Sequence, residues 1–171
     1  LKFEKLYSNG ILDGRVIKGI TYVFHIKNSY FCRFLYCLGA PIGNKVLQPL
    51  VIPEFVKDLP VEFKAIFVGQ MYSDEGTKAI DQGKKGKHLS YKMNKDVRFR
   101  EEHILFLNEI KSLFEDLGVK VGGIYSGKRN YMRKGGYEVF SAYFYLSSKN
   151  DNLKKLIDTI PIYVDYKRSS I

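Results

Sequence analysis

The chain lacks tryptophan and has only two cysteines among its 171 residues. Because Cys32 and Cys37 lie on one short apolar segment, a framework of disulfides is excluded and we expect both thiols to be reduced. No run approaches the roughly 18 consecutive apolar residues of a membrane span, and no signal peptide opens the chain. These absences predict an intracellular protein, cytoplasmic or in an organellar matrix, that does not enter a membrane.

Acidic residues are scarce relative to basic ones. The chain has 18 Asp and Glu against 28 Lys and Arg, which gives a formal net charge of +10. Such an excess indicates a polyanionic partner, with nucleic acid the leading candidate, although charge alone leaves open a solvated lysine surface. With 45% hydrophobic residues, the composition is typical of a folded protein of one domain or two small halves.

Alternating apolar and polar residues predict strands with one buried and one solvated face. The clearest strands are 20–27, 88–94 and 137–147, with partner strands expected at 3–8 and 119–126. Apolar residues at helical spacing, with capping residues at the ends, predict the helices. The helices are expected at 30–38, 61–76, 101–117 and 150–160. This pattern is typical of an α+β protein.

Short segments near the start of the chain recur near its end. Residues 6–8, Leu-Tyr-Ser, match 124–126, Ile-Tyr-Ser, at an offset of 118. Residues 24–26, Phe-His-Ile, match 144–146, Phe-Tyr-Leu, at an offset of 120. In both copies the predicted hairpin leads into a short helix. A long-period repeat usually means two similar units packed about a pseudo-twofold axis.

The two copies of this repeat differ in length. The order helix, strand, strand, helix, strand, strand, helix is complete once, over 61–160, whereas 3–38 supplies only the last hairpin and helix of another copy. Four of the five prolines fall within 39–60, which predicts an irregular connection. We therefore predict that 1–60 is the C-terminal part of a first repeat and that 61–171 is a complete second repeat.

One ten-residue motif carries a family resemblance. Residues 67–76, Phe-Val-Gly-Gln-Met-Tyr-Ser-Asp-Glu-Gly, resemble the F-L-x-G-L-F-D-A-E-G form of the LAGLIDADG family of homing endonucleases. Residues 34–45 and 52–55 are similar to the segment between the repeats of that family. The resemblance implies an αββαββα unit with a partial second copy and an antiparallel, saddle-shaped sheet.

The resemblance also implies an activity. Members of this family are site-specific DNA endonucleases that hydrolyse phosphodiester bonds of a long duplex, with Mg²⁺ or another divalent metal held by carboxylates. Each of two closely packed motif helices delivers one acid. Aligning the motif end to end makes Glu75 the catalytic residue and metal ligand. A register shifted by one keeps Gly69 and Ser73 as the small helix-packing pair and nominates Asp74 instead.

Only one motif helix is present, so one acid of the pair is missing. An N-terminal portion of a longer chain could supply it, or two chains could associate. Alternatively the protein has lost cleavage and only binds DNA, as a transcription regulator would. A further alternative is an RNA-binding intron maturase. Whether the domain sits in an intein, an intron product or a free-standing gene is left open.

The resemblance implies that the sheet lies along the major groove of double-stranded DNA. Polar side chains on its outward face can donate and accept at base edges, while Lys and Arg position the phosphate backbone. The residues predicted to contact DNA are Lys27, His25, Lys84, Lys85, Lys87, His88, Ser90, Lys92, Asn94, Lys128, Arg129, Arg133, Lys134, Tyr143 and Tyr145.

Overall fold

A computed structural model gives the fold of the protein. It describes residues 2–12, 15–25, 27–83, 86–127, 129–133 and 135–171, and within 2–25 the side chains of Lys5 and Tyr7. The chain divides into two compact units, Leu1–Ala40 and Pro41–Ile171.

The first unit is a hairpin followed by a helix. Strands β1 (Lys2–Leu12) and β2 (Arg15–His25) pair antiparallel, and α1 spans Ser29–Cys37. The Asn28 side chain accepts a hydrogen bond of 2.9 Å from the backbone N–H of Phe31, so it caps the helix as its sequence position predicts. The predicted hairpin and helix are confirmed, although both strands begin earlier or end later than the alternation indicated.

The second unit contains the remaining elements. In chain order these are α2 (Glu54–Lys57), α3 (Val61–Glu75), β3 (Ile80–Asp81), β4 (Lys87–Asp96), α4 (Arg100–Asp116), β5 (Val121–Ser126), β6 (Tyr131–Met132), β7 (Glu138–Leu146), α5 (Asn150–Thr159) and α6 (Asp165–Arg168). Single 3₁₀ turns occur at Lys45–Leu47 and Val97–Phe99. All four long predicted helices are therefore present, within one or two residues of their expected bounds.

Helix ends follow from residues that cannot continue the helix or that suit its start. Pro60 precedes α3, where its fixed φ suits the first turn, and Gly76 ends the helix. Helix α4 ends ahead of Gly118, whose φ of 78° is a left-handed conformation that favours glycine.

The five-stranded sheet is antiparallel, in the order β3-β4-β7-β5, with β6 also pairing with β7. One face of its two long strands is buried, as the alternation predicts, and aromatic contacts join this face to the helices. Phe114 of α4 lies edge-on to Phe144 of β7 at 5.9 Å. The buried residues on this face of β4 and β7 are Leu89, Tyr91, Met93, Phe140, Ala142, Phe144 and Leu146. The α+β class is thus observed.

Some features differ from the sequence-based expectations. The strand that follows α3 is only two residues long, and β6 and α6 were not predicted. The compact units divide after Ala40, whereas the repeat predicts a boundary after residue 60. Residues 41–60 pack in the second unit because Ile52 and Val56 are buried in its core. The division into compact units depends on which residues pack together, and it does not test where one sequence repeat ends and the next begins. The two-repeat assignment therefore stays a prediction.

Across the described ranges, none of the helices combines the length and apolarity that a membrane crossing requires.

Candidate functional site: the acidic end of α3 and the outward face of the sheet

The acidic C-terminal end of α3 lies beside strand β4. Gly76 forms a β-bridge with Tyr91, and the N–H of Thr77 donates to the carbonyl of Ser90 at 2.8 Å. Burial raises the pKa of Tyr91, and the nearby carboxylates of Glu75 and then Asp74 raise it further. The two candidate catalytic acids are therefore held next to the sheet by backbone hydrogen bonds.

Two lysines surround Glu75. The ammonium of Lys45 is hydrogen-bonded to Oε1 of Glu75, whose side chain is 22% exposed. Lys45 opens a 3₁₀ turn that Asn44 caps, its side chain accepting from the N–H of Val46 at 3.0 Å. Lys95, which is 1% exposed, donates to the backbone carbonyls at both ends of this turn, including Gln48 at 2.9 Å.

The ammonium of Lys95 is unusually easy to deprotonate. Burial and then the nearby charge of Lys45 lower its pKa, Glu75 opposes both effects, and the resulting pKa is about 8. A lysine in this state can exchange a proton close to neutral pH, which an exposed lysine does not. Sequence reasoning assigned no role to Lys95. Its position in the sequence could have indicated burial, because Lys95 follows Met93 at the two-residue spacing of the core-facing residues of β4.

Asp74 makes a separate set of contacts. Its side chain is exposed and accepts a hydrogen bond of 3.1 Å from the amide of Gln70, one turn earlier. The described part of the chain contains no cluster of three or more His, Cys, Asp or Glu side chains that could hold a metal ion. Mg²⁺ needs only one or two protein carboxylates, with waters completing its shell. Glu75 and Asp74 are the carboxylates at the end of α3 that could act as such ligands.

The predicted helix-packing residues make close contacts within the second unit. A Cβ on Gly69 would lie 2.2 Å from the carbonyl oxygen of Pro161, so only glycine fits there. The hydroxyl of Ser73 accepts a hydrogen bond of 2.9 Å from the N–H of Tyr163. The resemblance implies a second helix as the partner of these small residues, whereas the contacts found here are with the segment 161–163.

Lys167 of α6 supports the end of α3, so residues 161–167, here called the C-terminal segment, contact α3 at several points. Lys167 is 6% exposed, and its ammonium donates to the carbonyls of Ser73 at 2.6 Å and Asp74 at 3.4 Å. A cation at a helix C-terminus is favourable because the last carbonyls are otherwise unpaired. Burial lowers the pKa of Lys167, and the charges of Asp74 and Glu75 oppose that shift. The C-terminal segment therefore fixes where the two acids lie.

The outward face of the sheet carries polar and aromatic residues in cross-strand rows. Lys92 of β4 lies opposite Tyr143 of β7, which lies opposite Tyr125 of β5. In the next row of β4 and β7, the hydroxyl of Ser141 donates to Oδ1 of Asn94 at 2.6 Å. Lys92 is exposed and Asn94 is half-buried. The structure thus brings Lys92, Asn94 and Tyr143 together on one face.

Besides Asn94, three predicted DNA contacts on β4 are buried or half-buried and have hydrogen-bond partners within the chain. Ser90 is only 7% exposed because Thr77 covers it, so the prediction that it faces DNA does not fit this structure. Lys87 is half-buried and its ammonium donates to the carbonyls of Ser170 and Ile171. His88 is half-buried, with Nδ1 2.9 Å from the Gln82 amide nitrogen.

Of the remaining predicted contacts, Tyr145 is half-buried, and the others are exposed or lie outside the described residues. Lys27, in the first unit, and Arg129 are exposed, as is Arg133, whose guanidinium lies 5.3 Å from the centre of the Tyr131 ring. The side chain of His25 is outside the described part of the structure. The predicted residues that lie wholly outside the described ranges are Lys84, Lys85, Lys128 and Lys134.

One face of α3 is apolar yet exposed. Phe63 is 59% exposed and Ile66 is 48% exposed, at a spacing that places them on one side of the helix. Gln70 and Asp74 continue this exposed side to the acidic end. Two large apolar side chains exposed on a helix whose other side is buried are typical of a surface that binds another protein segment.

Comparisons with known proteins give partial matches. The DNA-directed RNA polymerase subunit Rpo1N of Methanocaldococcus jannaschii is 29% identical over 126 residues, which are 72% of this chain and 9% of that protein. The tRNA-splicing ligase RtcB of the same organism is 30% identical over 95 residues, 56% of this chain and 10% of that protein. Its replication factor C small subunit is 28% identical over 109 residues, 64% of this chain and 6% of that protein.

The chain therefore spans a tenth or less of the length of these curated relatives. No family model matches it, and no solved structure matches it significantly.

Proposed function

We propose that this chain is a large part of a site-specific, metal-dependent DNA endonuclease of LAGLIDADG type. The observation that carries the proposal is the position of Glu75. This residue ends α3 beside strand β4 and lies close to Lys45 and Lys95. The outward face of the sheet bears the exposed Lys92 and Tyr125 and the half-buried Asn94 and Tyr143, whose polar groups suit base edges. The saddle shape of the sheet is part of the proposal.

In this proposal Glu75 holds one divalent metal ion, with Asp74 as the alternative ligand. Bound Mg²⁺ supplies an activated water and neutralises charge on the leaving oxygen. Lys167 and Gly76 fix the end of the helix, so the carboxylate is oriented before DNA binds. Lys95, with its lowered pKa, is close enough to Glu75 to affect the charge of the site.

The comparisons support the proposal because similar segments occur in three proteins with different names. The matched shares of this chain, 72%, 56% and 64%, are large enough that any two of the matched segments overlap. The three relatives are named for three different activities. A segment that recurs in a small part of each is best explained as an insertion, as an intein would be, and an endonuclease that spreads its own coding sequence would be distributed in this way.

The exposed side of α3 supports association with a second motif helix. A two-carboxylate site needs a second acid near Glu75, and Phe63 and Ile66 offer an apolar surface for the helix that would bring it. Either another part of a longer chain or a second copy could supply that helix. Sedimentation of the protein with and without bound duplex distinguishes the two, because only the second copy changes the protein stoichiometry.

The test begins with duplexes enriched from a randomised DNA library in Ca²⁺, which supports binding without cleavage in the proposed mechanism. Cleavage of the enriched duplex is then measured in Mg²⁺ for the parent protein, Glu75→Gln and Asp74→Asn. We expect the parent to cut both strands and Glu75→Gln to bind but not cut. Loss of cutting in Asp74→Asn alone would instead assign the ligand to Asp74. If no duplex is enriched from the library, the proposal is contradicted.

A non-cleaving DNA-binding protein is the second candidate. It is favoured by the ion pair of Glu75 with Lys45, in which the carboxylate is already bonded to an ammonium. It is also favoured because the described residues contain no cluster of three or more His, Cys, Asp or Glu side chains that could hold a metal ion. Enrichment of a duplex that the parent protein does not cut in Mg²⁺ would support this candidate. An RNA-binding maturase would show higher affinity for structured intron RNA than for any enriched duplex.

A further inference from the structure

Four aromatic rings meet on the outward face of the sheet. Tyr125 and Tyr143 are stacked with ring centroids 5.9 Å apart, and Tyr145 lies 5.6 Å from Tyr125 and 5.2 Å from Tyr143. His88 packs edge-on against Tyr145 at 4.5 Å. We call these four residues the tyrosine cluster. They come from the three adjacent strands β4, β7 and β5, so the cluster extends across three of the five strands of the sheet.

The cluster is not part of the hydrophobic core. Its rings occupy the face opposite to Phe144 and the other buried residues of β7, because alternate residues of a strand point to opposite faces. Tyr125 is 49% exposed, and Tyr143 and Tyr145 are half-buried beside it. The rings are not among the core residues, and a contiguous aromatic surface of this kind is typical of a binding site.

The arrangement of the rings indicates which chemical groups the cluster can contact. Unpaired bases bind by stacking on free aromatic faces. Here Tyr125 and Tyr143 stack side by side and the ring of Tyr145 is tilted against both, so each ring has a neighbouring ring beside it and the cluster presents ring edges and hydroxyls. Ring edges suit a duplex, whose bases are already stacked and expose only their own edges in the grooves.

The apolar edges of the tyrosine rings can contact one apolar group in the major groove. The thymine C5-methyl group is the apolar feature that distinguishes a base pair there, and apolar side chains read it by contact. Lys92 lies opposite Tyr143 and is exposed, so a donor for a phosphate or a guanine stands next to the apolar edge.

We propose that the tyrosine cluster is a specificity subsite that contacts thymine methyl groups in the major groove of the bound duplex. This inference rests on the proposed function, because it requires the outward face of the sheet to lie in that groove. It adds a chemical prediction that DNA binding alone does not make: affinity depends on the methyl group of particular thymines and not only on base pairing.

The test replaces each thymine of an enriched duplex by deoxyuridine, which pairs identically but lacks the methyl group. For the parent protein we expect affinity to fall about fourfold for each contacted methyl, at one or two adjacent positions. Tyr125→Ser removes an exposed ring of the cluster, so this variant should bind the thymine and deoxyuridine duplexes equally at those positions. Tyr166→Ser, which removes an exposed ring on α6, is the matched control and should keep the parent's sensitivity.

The outcomes separate this inference from the proposed function. If the parent binds an enriched duplex but is indifferent to deoxyuridine at every position, the inference is overturned and duplex binding stands. If Tyr125→Ser keeps the full sensitivity, the methyl is read elsewhere and the inference is also overturned. Tighter binding of single-stranded oligothymidine than of the duplex would overturn it in favour of a stacking surface. Failure to enrich any duplex contradicts the proposed function itself.

Discussion

The buried ammonium of Lys167 donates to the backbone carbonyl of Ser73 at 2.6 Å, in the last turn of α3. The C-terminal segment thereby ties down the helix end that carries Asp74 and Glu75. The same segment meets α3 one turn earlier, where the carbonyl of Pro161 touches Gly69. The position of the candidate acids thus depends on residues about 90 positions away, and several measurable consequences follow from this.

Replacing Lys167 by Met should destabilise the second unit by about 1–3 kcal/mol, because the carbonyls of Ser73 and Asp74 lose a charged donor. The methionine keeps the apolar stem, so the lost hydrogen bonds dominate the change. Urea unfolding measures the effect. Lys154→Met, at an exposed position of α5, is the matched control and should change stability by less than about 0.5 kcal/mol. Equal effects of the two substitutions would contradict the role of Lys167.

Replacing Gly69 by Ala should also destabilise, by about 1–3 kcal/mol, although alanine is the better helix former. The added Cβ would lie 2.2 Å from the Pro161 carbonyl, which must therefore move. Thermal unfolding measures the loss. Ser112→Ala, at an exposed position of α4, should leave stability unchanged or raise it slightly. A stabilised Gly69→Ala protein would show that the segment is not held against the helix.

Stability should fall in mild acid because of His103, which is fully buried against Phe106 and Phe140. Burial, and then the charge of Lys95, lower its pKa from 6.5 to about 4. Since the folded pKa lies below the unfolded one, the unfolded chain takes up the proton first as the pH falls. The stabilisation is complete above about pH 6.5 and is lost as the pH falls towards 4.

Between pH 7 and pH 5 this linkage amounts to about 2 kcal/mol. Urea unfolding at the two pH values measures it. His103→Phe, which keeps an aromatic ring but cannot be protonated, should lose that part of the pH dependence. His88→Phe is the comparison, and it should retain most of the dependence of the parent. An unchanged dependence in His103→Phe would exclude His103 as its source.

Replacing Lys45 by Met should strengthen binding of a divalent or trivalent cation at Glu75, because the ammonium now bonded to that carboxylate competes with the metal. The pair is partly exposed, so the gain should be no more than about fivefold. Terbium luminescence sensitised by the nearby Tyr91 measures the affinity. Glu75→Gln should abolish the signal, and a signal that survives it would place the metal elsewhere.

Much of the architecture could be predicted from local patterns. The span of α3 follows from Pro60, Gly76 and the apolar residues between them. The alternation along β4 and β7 identified their buried faces correctly. These predictions succeed because periodicity and capping depend on residues that are close in sequence. The family resemblance likewise nominated Glu75 and Asp74 from a ten-residue motif.

Contacts between distant parts of the chain could not be predicted in this way. Alternation placed Ser90 on the solvated face, but Thr77 covers it and leaves it 7% exposed. Gly69 and Ser73 were predicted to pack closely, yet the contacts found are with Pro161 and Tyr163. A periodic pattern assigns a residue to a face, and it does not specify what packs on that face.

The sequence by itself determined the elements, the charge excess and the acidic end of α3. Only the tertiary structure decided that Lys45 and Lys95 lie beside Glu75, because Lys45 is 30 positions before that carboxylate in the sequence. The physical reason is that an element forms from interactions within one or two turns. The charge and hydrogen bonding of a site depend instead on which loops and termini the packed core brings beside it.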